Sequence, residues 1–464
     1  MSVEKGKVLK LKRGLKNRHI QMIALGGAIG TGLFYGSAES IALVGPAILL
    51  SYLLGGFVIY LIMTMMGEMS THEPVAGAFS HFSYKYWGEF PGFLAGWNYW
   101  FLYVLVSMAE LSAIGIYVQF WFPEIPMWVS SLFVLIVITI LNLFSIRIYG
   151  EFEFWFAFVK VMAIILLIAL GLYLIIWGVD GATISNLWQY DGFFPFGIKE
   201  FLLSLVVVMF SFGGTELIGI TAAEADDPQK SIPKAIKQVI WRILLFYILS
   251  IAILMILHPW NEIGVEGSPF VIIFQEMGFG IVNTPCGPLN IPATFFNVVV
   301  LSAAISVYNS GIYSNGRMLY GLAEQGNAPK VFLKLNRNAA PFMAILFSSL
   351  CTLVAVVINF LVPEGAFMRI MSLAVAAATI TWGLIVIVQY RFRKQVDAKS
   401  LSFKVPFYPF SNFFALGFLI LLLIMMTQSG NMKYAVMVMP IWILVLYIGF
   451  RIKKRVTKPK SSGR

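Results

Sequence analysis

Residues 24–36 read ALGGAIGTGLFYG, an apolar stretch that places Gly26, Gly27, Gly30, Gly32 and Gly36 around Thr31. A glycine in a helix interior costs about 1 kcal/mol relative to alanine, so five of them in thirteen positions make a poor continuous rod. In lipid, unwound backbone survives only where protein or a water-filled cavity surrounds it, because unpaired N–H and C=O groups are costly there. The stretch therefore either packs very closely on a neighbour or is a helix broken around a ligand. Its surroundings in the chain bear on the choice.

The 464 residues are 59% hydrophobic and 12% charged, with a mean hydropathy of +0.83. Soluble domains carry about 25% charged residues, so these values point to an all-α polytopic membrane protein. The apolar runs are too long and continuous for the alternation of a β-barrel. At about 20 residues per helix, the pattern predicts twelve spans: about 19–40, 45–69, 91–121, 127–146, 152–178, 197–219, 236–258, 292–316, 339–361, 366–390, 405–427 and 434–452.

Charge tests that count, since positive residues collect on the cytoplasmic side. The two terminal tails and the connections after spans 2, 4, 6, 8 and 10 hold 29 of the 33 Lys and Arg residues. The other connections hold only Lys199, Arg369 and Lys433, and Lys160 lies within a span. Both termini are thus expected in the cytoplasm, which requires an even number of spans. The net charge of +11 is accounted for by orientation next to anionic lipid, not by nucleic acid. The predicted organisation is a basic tail over 1–18, one transmembrane domain over 19–452 and a second basic tail over 453–464. No signal-peptide cleavage site stands out after the basic start. The outward loop at 259–291 is expected to hold a short helix and turns, and is a candidate lid.

Metal and cofactor chemistry finds little footing. Cys286 falls in a loop and Cys351 in a span, and His19, His72, His81 and His258 lie far apart near span ends. No disulfide, metal site or cofactor is expected.

Span 6 repeats the theme of residues 24–36. Ser211-Phe212-Gly213-Gly214-Thr215-Glu216 interrupts an apolar run with small and polar groups at membrane depth. The two interrupted spans are the first members of two five-span halves, about 19–178 and 197–390, followed by two extra spans over 405–452. Paired discontinuous helices at matching repeat positions are the sign of an inverted-repeat transporter with its site near the midplane. Packing by small residues, as at Gly32-x-x-x-Gly36, is the competing reading.

Ionisable groups inside spans are expensive and point to function. Lys160 lies about eight residues into span 5. It either snorkels to water or is a desolvated amine that exchanges protons. Glu110 in span 3 and Glu216 just after the span-6 break serve either to bond freed backbone or as a gate or proton relay. Glu151 and Glu153 are expected near the interface, as anchors of span 5. In span 3, Tyr99 and Tyr103 share a face at i,i+4. In span 8, Tyr308, Asn309, Ser310, Tyr313, Ser314 and Asn315 form a polar, aromatic run suited to lining a cavity or closing near the cytosol.

GAIGTGLF at 27–34, SFGGTELIGITAAEADDPQKSIPKA at 211–235 and SVYNSGIYSNGRMLYGLAEQGNAPK at 306–330 resemble the bacterial amino acid permeases of the amino acid–polyamine–organocation superfamily. The resemblance covers essentially the whole chain. PVAGAFSHFSYKYWG at 74–88 and GWNYWFLYVLVSMAEL at 96–111 are most similar to the aromatic amino acid permeases. Residues 283–288 look like a short insertion relative to that group.

The resemblance implies a five-plus-five inverted repeat with broken helices 1 and 6 and two extra C-terminal helices. It implies proton-coupled import of an amino acid across the cytoplasmic membrane of a bacterium. The substrate carboxylate would meet Gly30, Thr31 and Gly32, and its ammonium the carbonyls of Ala28, Phe210 and Gly213. Half-helix termini favour such charges. Lys160 matches the family's proton-coupling lysine, and Glu216 a carboxylate that joins a gate. The substrate side chain is expected to pack towards Tyr103 under Phe210, with Phe, Tyr and Trp favoured. Proline, another neutral amino acid or histidine on the same machine is the alternative cargo. An intramembrane enzyme would need paired catalytic groups at depth, and none is visible.

Overall fold

The computed structural model describes residues 29–75, 78–144, 146–178, 181–216, 228–263, 267–278, 280–284, 287–430 and 432–457. Nine helices among the described residues are long and apolar enough to cross a membrane, and Met127–Asn142 is a shorter apolar one. The chain is therefore a nearly all-helical, multi-pass membrane protein. Exposed apolar side chains such as Phe133, Trp155, Ile176 and Leu350 line its outer surface, as lipid contact requires.

The expected interruptions are present. The chain is extended at Gly30, turns through the four-residue helix Thr31–Phe34, and continues as Gly36–Val44. A 3-10 turn at Gly45–Ala47, with Gly45 at φ +62°, joins it to Ile48–His72. The span-6 helix Ile198–Phe210 stops at Phe210 and gives way to turns through residue 216. A third irregularity was not anticipated: span 7 contains a π-helical segment, Ile243–Leu249, between Pro228–Arg242 and Ser250–Leu257.

Two expected boundaries are corrected. Span 5 is the helix Ile146–Trp177 and span 8 is Ile291–Glu324. Both extend beyond the apolar runs. Within span 5, Glu153 is fully buried, 1% exposed, and is no interfacial anchor. The loop at 259–291 holds the expected short helix, Pro269–Glu276, together with a hairpin in which Ile281 pairs with Asn290 and Thr284 with Gly287.

Polar contacts knit the spans into two groups. Ser51 Oγ lies 2.7 Å from Ser204 Oγ, joining spans 2 and 6. Tyr52 Oη lies 3.3 Å from Ser211 Oγ, and Tyr247 donates to the Ser211 carbonyl at 3.0 Å. Spans 1, 2, 6 and 7 thereby surround the two breaks. In the other group, Asn98 donates to the Ala377 carbonyl, Trp100 to Ser348, and Ser112 to Asn359. Thr139 donates to Ser349 and Asn142 to Asn309. These bonds tie spans 3, 4, 8, 9 and 10 into a scaffold. Satisfied polar pairs of this kind fix register where every neighbour is apolar.

Candidate functional site

The site forms where the two breaks meet. The first two residues of a helix have no intrahelical partner for their amides, and at the first break these are Thr31 and Gly32. Gly30 supplies the carbonyl that accepts from Leu33 and Phe34, each at 3.2 Å. Gly32 rests on Ser211: a Cβ added to it would stand 2.6 Å from Ser211 Cα and 2.9 Å from Ser211 N. Gly30 is confined in the same way, by Glu110 Oε1 and Val307 Cγ2, each 3.0 Å from where its Cβ would lie.

Two ionisable side chains from neighbouring spans clasp the first break. Thr31 Oγ1 donates to Glu110 Oε1 at 2.9 Å, and the other oxygen of Glu110 is buried without a hydrogen-bond partner. Lys160, 0% exposed, donates to the Ile29 carbonyl at 3.1 Å and to Ser306 Oγ at 3.2 Å. Lys160 therefore does not snorkel to water. Its amine ends on backbone freed by the interruption.

From Lys160 a chain of buried polar groups leads onward. Ser306 donates to Glu153 Oε2 at 2.9 Å, and Asn309 donates to Glu153 Oε1 at 2.8 Å. Asn142 in turn donates to Asn309 Oδ1 at 2.9 Å. A buried cation is costly unless paired and hydrogen-bonded, and Glu153 supplies the compensating carboxylate through one hydroxyl. Sequence reasoning missed Glu153. Its i,i+7 spacing from Lys160 puts the two near one face of a helix, a signal that was available. Asn309 lies in the span-8 polar run and Ser306 two residues before the run begins, so this arrangement explains the run only in part.

At the second break the Phe210 carbonyl accepts from the Gly213 amide at 3.1 Å, leaving a second lone pair. Glu216 folds back so that the Gly214 amide donates to its Oε1 at 3.3 Å, while its Oε2 is buried without a partner. Tyr247 reaches the Ser211 carbonyl from the π-helical segment, and such segments occur often at functional sites. Tyr99 and Tyr103 pack with ring centroids 4.8 Å apart, as their spacing predicts. Ala28, expected to offer a carbonyl, lies outside the described residues.

Aromatic rings close the site on one side. Phe210 meets Phe367 edge to face with centroids 6.0 Å apart, and Tyr35 meets Phe367 at 4.7 Å. Beyond them a cavity of about 920 Å³ opens at the ends of spans 3, 9 and 10 and under the loop at 259–291. On the opposite face Glu68, 0% exposed, pairs with Arg393 at 2.8 Å and accepts from Gln389 at 2.8 Å and from the Val405 amide at 2.6 Å. This ion pair between spans 2 and 10 also escaped sequence reasoning. Among the described residues no cluster of three His, Cys, Asp or Glu is suited to a metal.

Comparison with known proteins adds to the geometry. The family model for amino acid permeases matches residues 19–462. The aromatic amino acid transport protein AroP of Escherichia coli (strain K12) is 50% identical over 453 residues, covering 97% of each chain. AroP of Salmonella typhimurium (strain LT2) is 49% identical over the same length. The uncharacterized amino acid permease YtnA of Bacillus subtilis (strain 168) is 46% identical over 444 residues, 94% of each chain.

Proposed function

The chain belongs to the amino acid permease family, and from that premise we propose that it imports aromatic amino acids together with protons across a bacterial cytoplasmic membrane. It is a transporter and not an enzyme. The observation that carries the finer reading is the Lys160 amine on the Ile29 carbonyl at 3.1 Å, which links a buried ionisable group directly to the first break. Likeness to AroP along 97% of the chain supports the aromatic preference.

In this reading the substrate carboxylate is met at Gly30, Thr31 and Gly32 by amides that have no intrahelical partner. Its ammonium is met by carbonyls at Phe210 and Gly213, with Ala28 completing the set. The aromatic side chain packs towards Tyr103 beneath Phe210. Entry is from the cavity behind Tyr35 and Phe367, on the face opposite the basic connections, and both termini are cytoplasmic. Spans 1, 2, 6 and 7 then move against the scaffold in an inverted-repeat cycle. When Lys160 gives up its proton it keeps two N–H donors but loses the charge that strengthens its bonds to Ile29 and Ser306, so protonation and the position of the first break depend on one another. Glu110 and Glu216 act at the same breaks as gate or relay.

Uptake of labelled phenylalanine into proteoliposomes, driven by an imposed pH gradient and competed with each of the twenty amino acids, tests the reading. Competition by phenylalanine, tyrosine and tryptophan above the others, with loss of accumulation on adding a proton ionophore, is the expected result. Stronger competition by proline, another neutral amino acid or histidine would replace the aromatic cargo and keep the machine. Accumulation that follows sodium and ignores the ionophore would overturn proton coupling.

A further inference from the structure

A second, smaller cavity of about 200 Å³ lies between spans 4, 5 and 8. Val137 and Leu141 line it from span 4, Phe152 and Phe156 from span 5, and Ile305 and Asn309 from span 8. Val137 and Phe152 form its rim. They are 36% and 45% exposed and belong to the same apolar outer surface as Phe133 and Trp155. The cavity therefore opens on the lipid-facing side of the protein. Among its lining residues Asn309 alone is polar, and both ends of its amide are engaged. Its Nδ2 donates to Glu153 Oε1 at 2.8 Å and its Oδ1 accepts from Asn142 at 2.9 Å. A buried water needs about two to four polar partners, and no side-chain polar atom of this lining is left to supply them. An apolar void left empty forfeits dispersion contacts along its walls. An apolar cavity of roughly 150 Å³ stays dry and takes up a benzene ring, so this one has room for about six carbons of a chain.

We propose that this cavity is a binding site for one acyl chain of a membrane phospholipid. The position of the rim selects the occupant. It continues the surface that faces lipid, where acyl chains are the surrounding medium and a polar molecule pays heavily to arrive. The Phe152 and Phe156 rings, with centroids 6.0 Å apart, form one wall. A chain bending inward between spans 4 and 5 passes them and comes to rest on Ile305 and Asn309. No hydrophobic free energy is gained on leaving lipid for an equally apolar wall. The chain is held by close packing where there would otherwise be void, so the site recognises shape. Asn309 carries Glu153, and Glu153 is linked through Ser306 to Lys160. The inserted chain thus lies directly behind that polar series and braces Asn309 in place. The site holds whatever the cargo and the coupling ion are.

Photolabelling of the full chain in bilayers tests this directly. The probe is a phosphatidylethanolamine with a diazirine midway along one acyl chain, and adducts are mapped by mass spectrometry after irradiation. Adducts on Ile305 or Asn309 are expected, because both lie on the cavity floor behind the rim. Val137→Trp sets a bulky ring at the rim, at a position that already faces lipid, and should abolish these adducts. Ile136→Trp, at the neighbouring exposed position outside the cavity, should keep them. Adducts on the outward-facing Leu350 in both variants show that each is inserted and within reach of the probe. Adducts confined to outward residues such as Trp155 and Leu350 in the parent would overturn the proposal, since they mark ordinary lipid contact. Equal adducts on Ile305 and Asn309 in the two tryptophan variants would overturn it as well, because the chain would then reach span 8 by another route.

Discussion

Gly32 and Ser211 touch backbone to backbone, so that a single methyl group on Gly32 would come within 2.6 Å of Ser211 Cα. The two interrupted helices are thus in direct contact at their breaks. Ser211 is in turn held by Tyr52 from span 2 and Tyr247 from span 7. A shift of span 1 is therefore transmitted to span 6 without an intervening side chain, and from there to spans 2 and 7. On the scaffold side, Glu110 and Lys160 hold Thr31 and Ile29, the residues on either side of Gly30. The spans around the two breaks and the scaffold meet there through ionisable side chains.

The contact makes a sharp prediction for alanine substitutions. Gly32→Ala forces backbone against backbone, and ångström-scale displacement at a positioned site can cost about 100-fold in rate. Uptake should fall by at least about tenfold with the protein still inserted and folded. Gly36→Ala is the control, since its Cβ would meet Val207 Cγ1 at 3.5 Å and the Thr31 carbonyl oxygen at 3.9 Å, both ordinary contacts. Comparable uptake by the two variants at equal membrane levels would refute the role of the Gly32–Ser211 contact.

Residues 24–36 presented packing and ligand-binding as alternatives, and Gly32 shows why both signals were present. It lacks a side chain because Ser211 lies against it, and it begins a short helix whose first amides have no intrahelical partner. The breaks were legible because clustered glycine and polar residues at membrane depth are costly in an unbroken helix. Glu153 and Glu68 were not legible. Each lies near the end of an apolar run, where an exposed carboxylate is the ordinary outcome. Only the approach of Ser306 and Asn309, or of Arg393 and Gln389, makes burial tolerable. Those partners are more than 150 residues away in the chain, and no local spacing reveals them. The π-helical segment in span 7 had no glycine or proline to mark it, since Ile243–Leu249 is uniformly apolar apart from Tyr247.

Glu153→Gln separates exchange from accumulation. Glutamine keeps the size of the side chain and one accepting oxygen, but its NH2 cannot accept from Asn309 and its charge no longer compensates Lys160. Uphill accumulation driven by a pH gradient should fall about tenfold or more, while counterflow exchange of labelled for unlabelled substrate is retained. Lys160→Ala should show the same split. A Glu153→Gln carrier that still concentrates substrate as well as the parent would remove Glu153 from the coupling path.

The segment after span 2 has a pH dependence of its own. Burial alone would raise the Glu73 carboxyl, but Lys85 and His81 outweigh it and hold the group below the usual carboxylate range. Its bond to Glu73 raises Lys85 above the usual lysine range. A depressed carboxylate stabilises the fold above its unfolded pKa of about 4.3, and that stabilisation is lost as pH falls through the folded value. The raised lysine contributes fully below its unfolded pKa of about 10.4 and is lost only at higher pH. Limited proteolysis between residues 73 and 88 should therefore accelerate on lowering the pH from 6 to about 3. Glu73→Gln should be cut faster than the parent at pH 6 and show little further change on acidification. An unchanged pH response in that variant would assign the effect to other groups.

The Glu68–Arg393 pair lies on the face opposite the larger cavity, and its energetics differ from those of a surface bridge. Glu68 is fully buried and the Arg393 side chain is 9% exposed, so both charges are largely removed from water. Attraction at 2.8 Å must offset that desolvation, helped by Gln389 and the Val405 amide on the same carboxylate. Removing one partner of such a pair leaves an uncompensated charge and costs about 3–5 kcal/mol, whereas replacing both with apolar groups is often close to neutral. Glu68→Leu alone should therefore lower the thermal midpoint of the purified protein markedly, and Glu68→Leu/Arg393→Leu should regain most of the loss. The pair also joins span 2 to span 10, so if span 2 moves against the scaffold as proposed, the double variant should favour opening on that face. Cysteine labelling at Ser70→Cys, a buried position two residues from Glu68, in a chain whose Cys286 and Cys351 are replaced by serine and compared in the two backgrounds, should then be faster in the double variant. A double variant that melts like the parent but labels no faster would make the pair a structural bond with no part in closing the carrier.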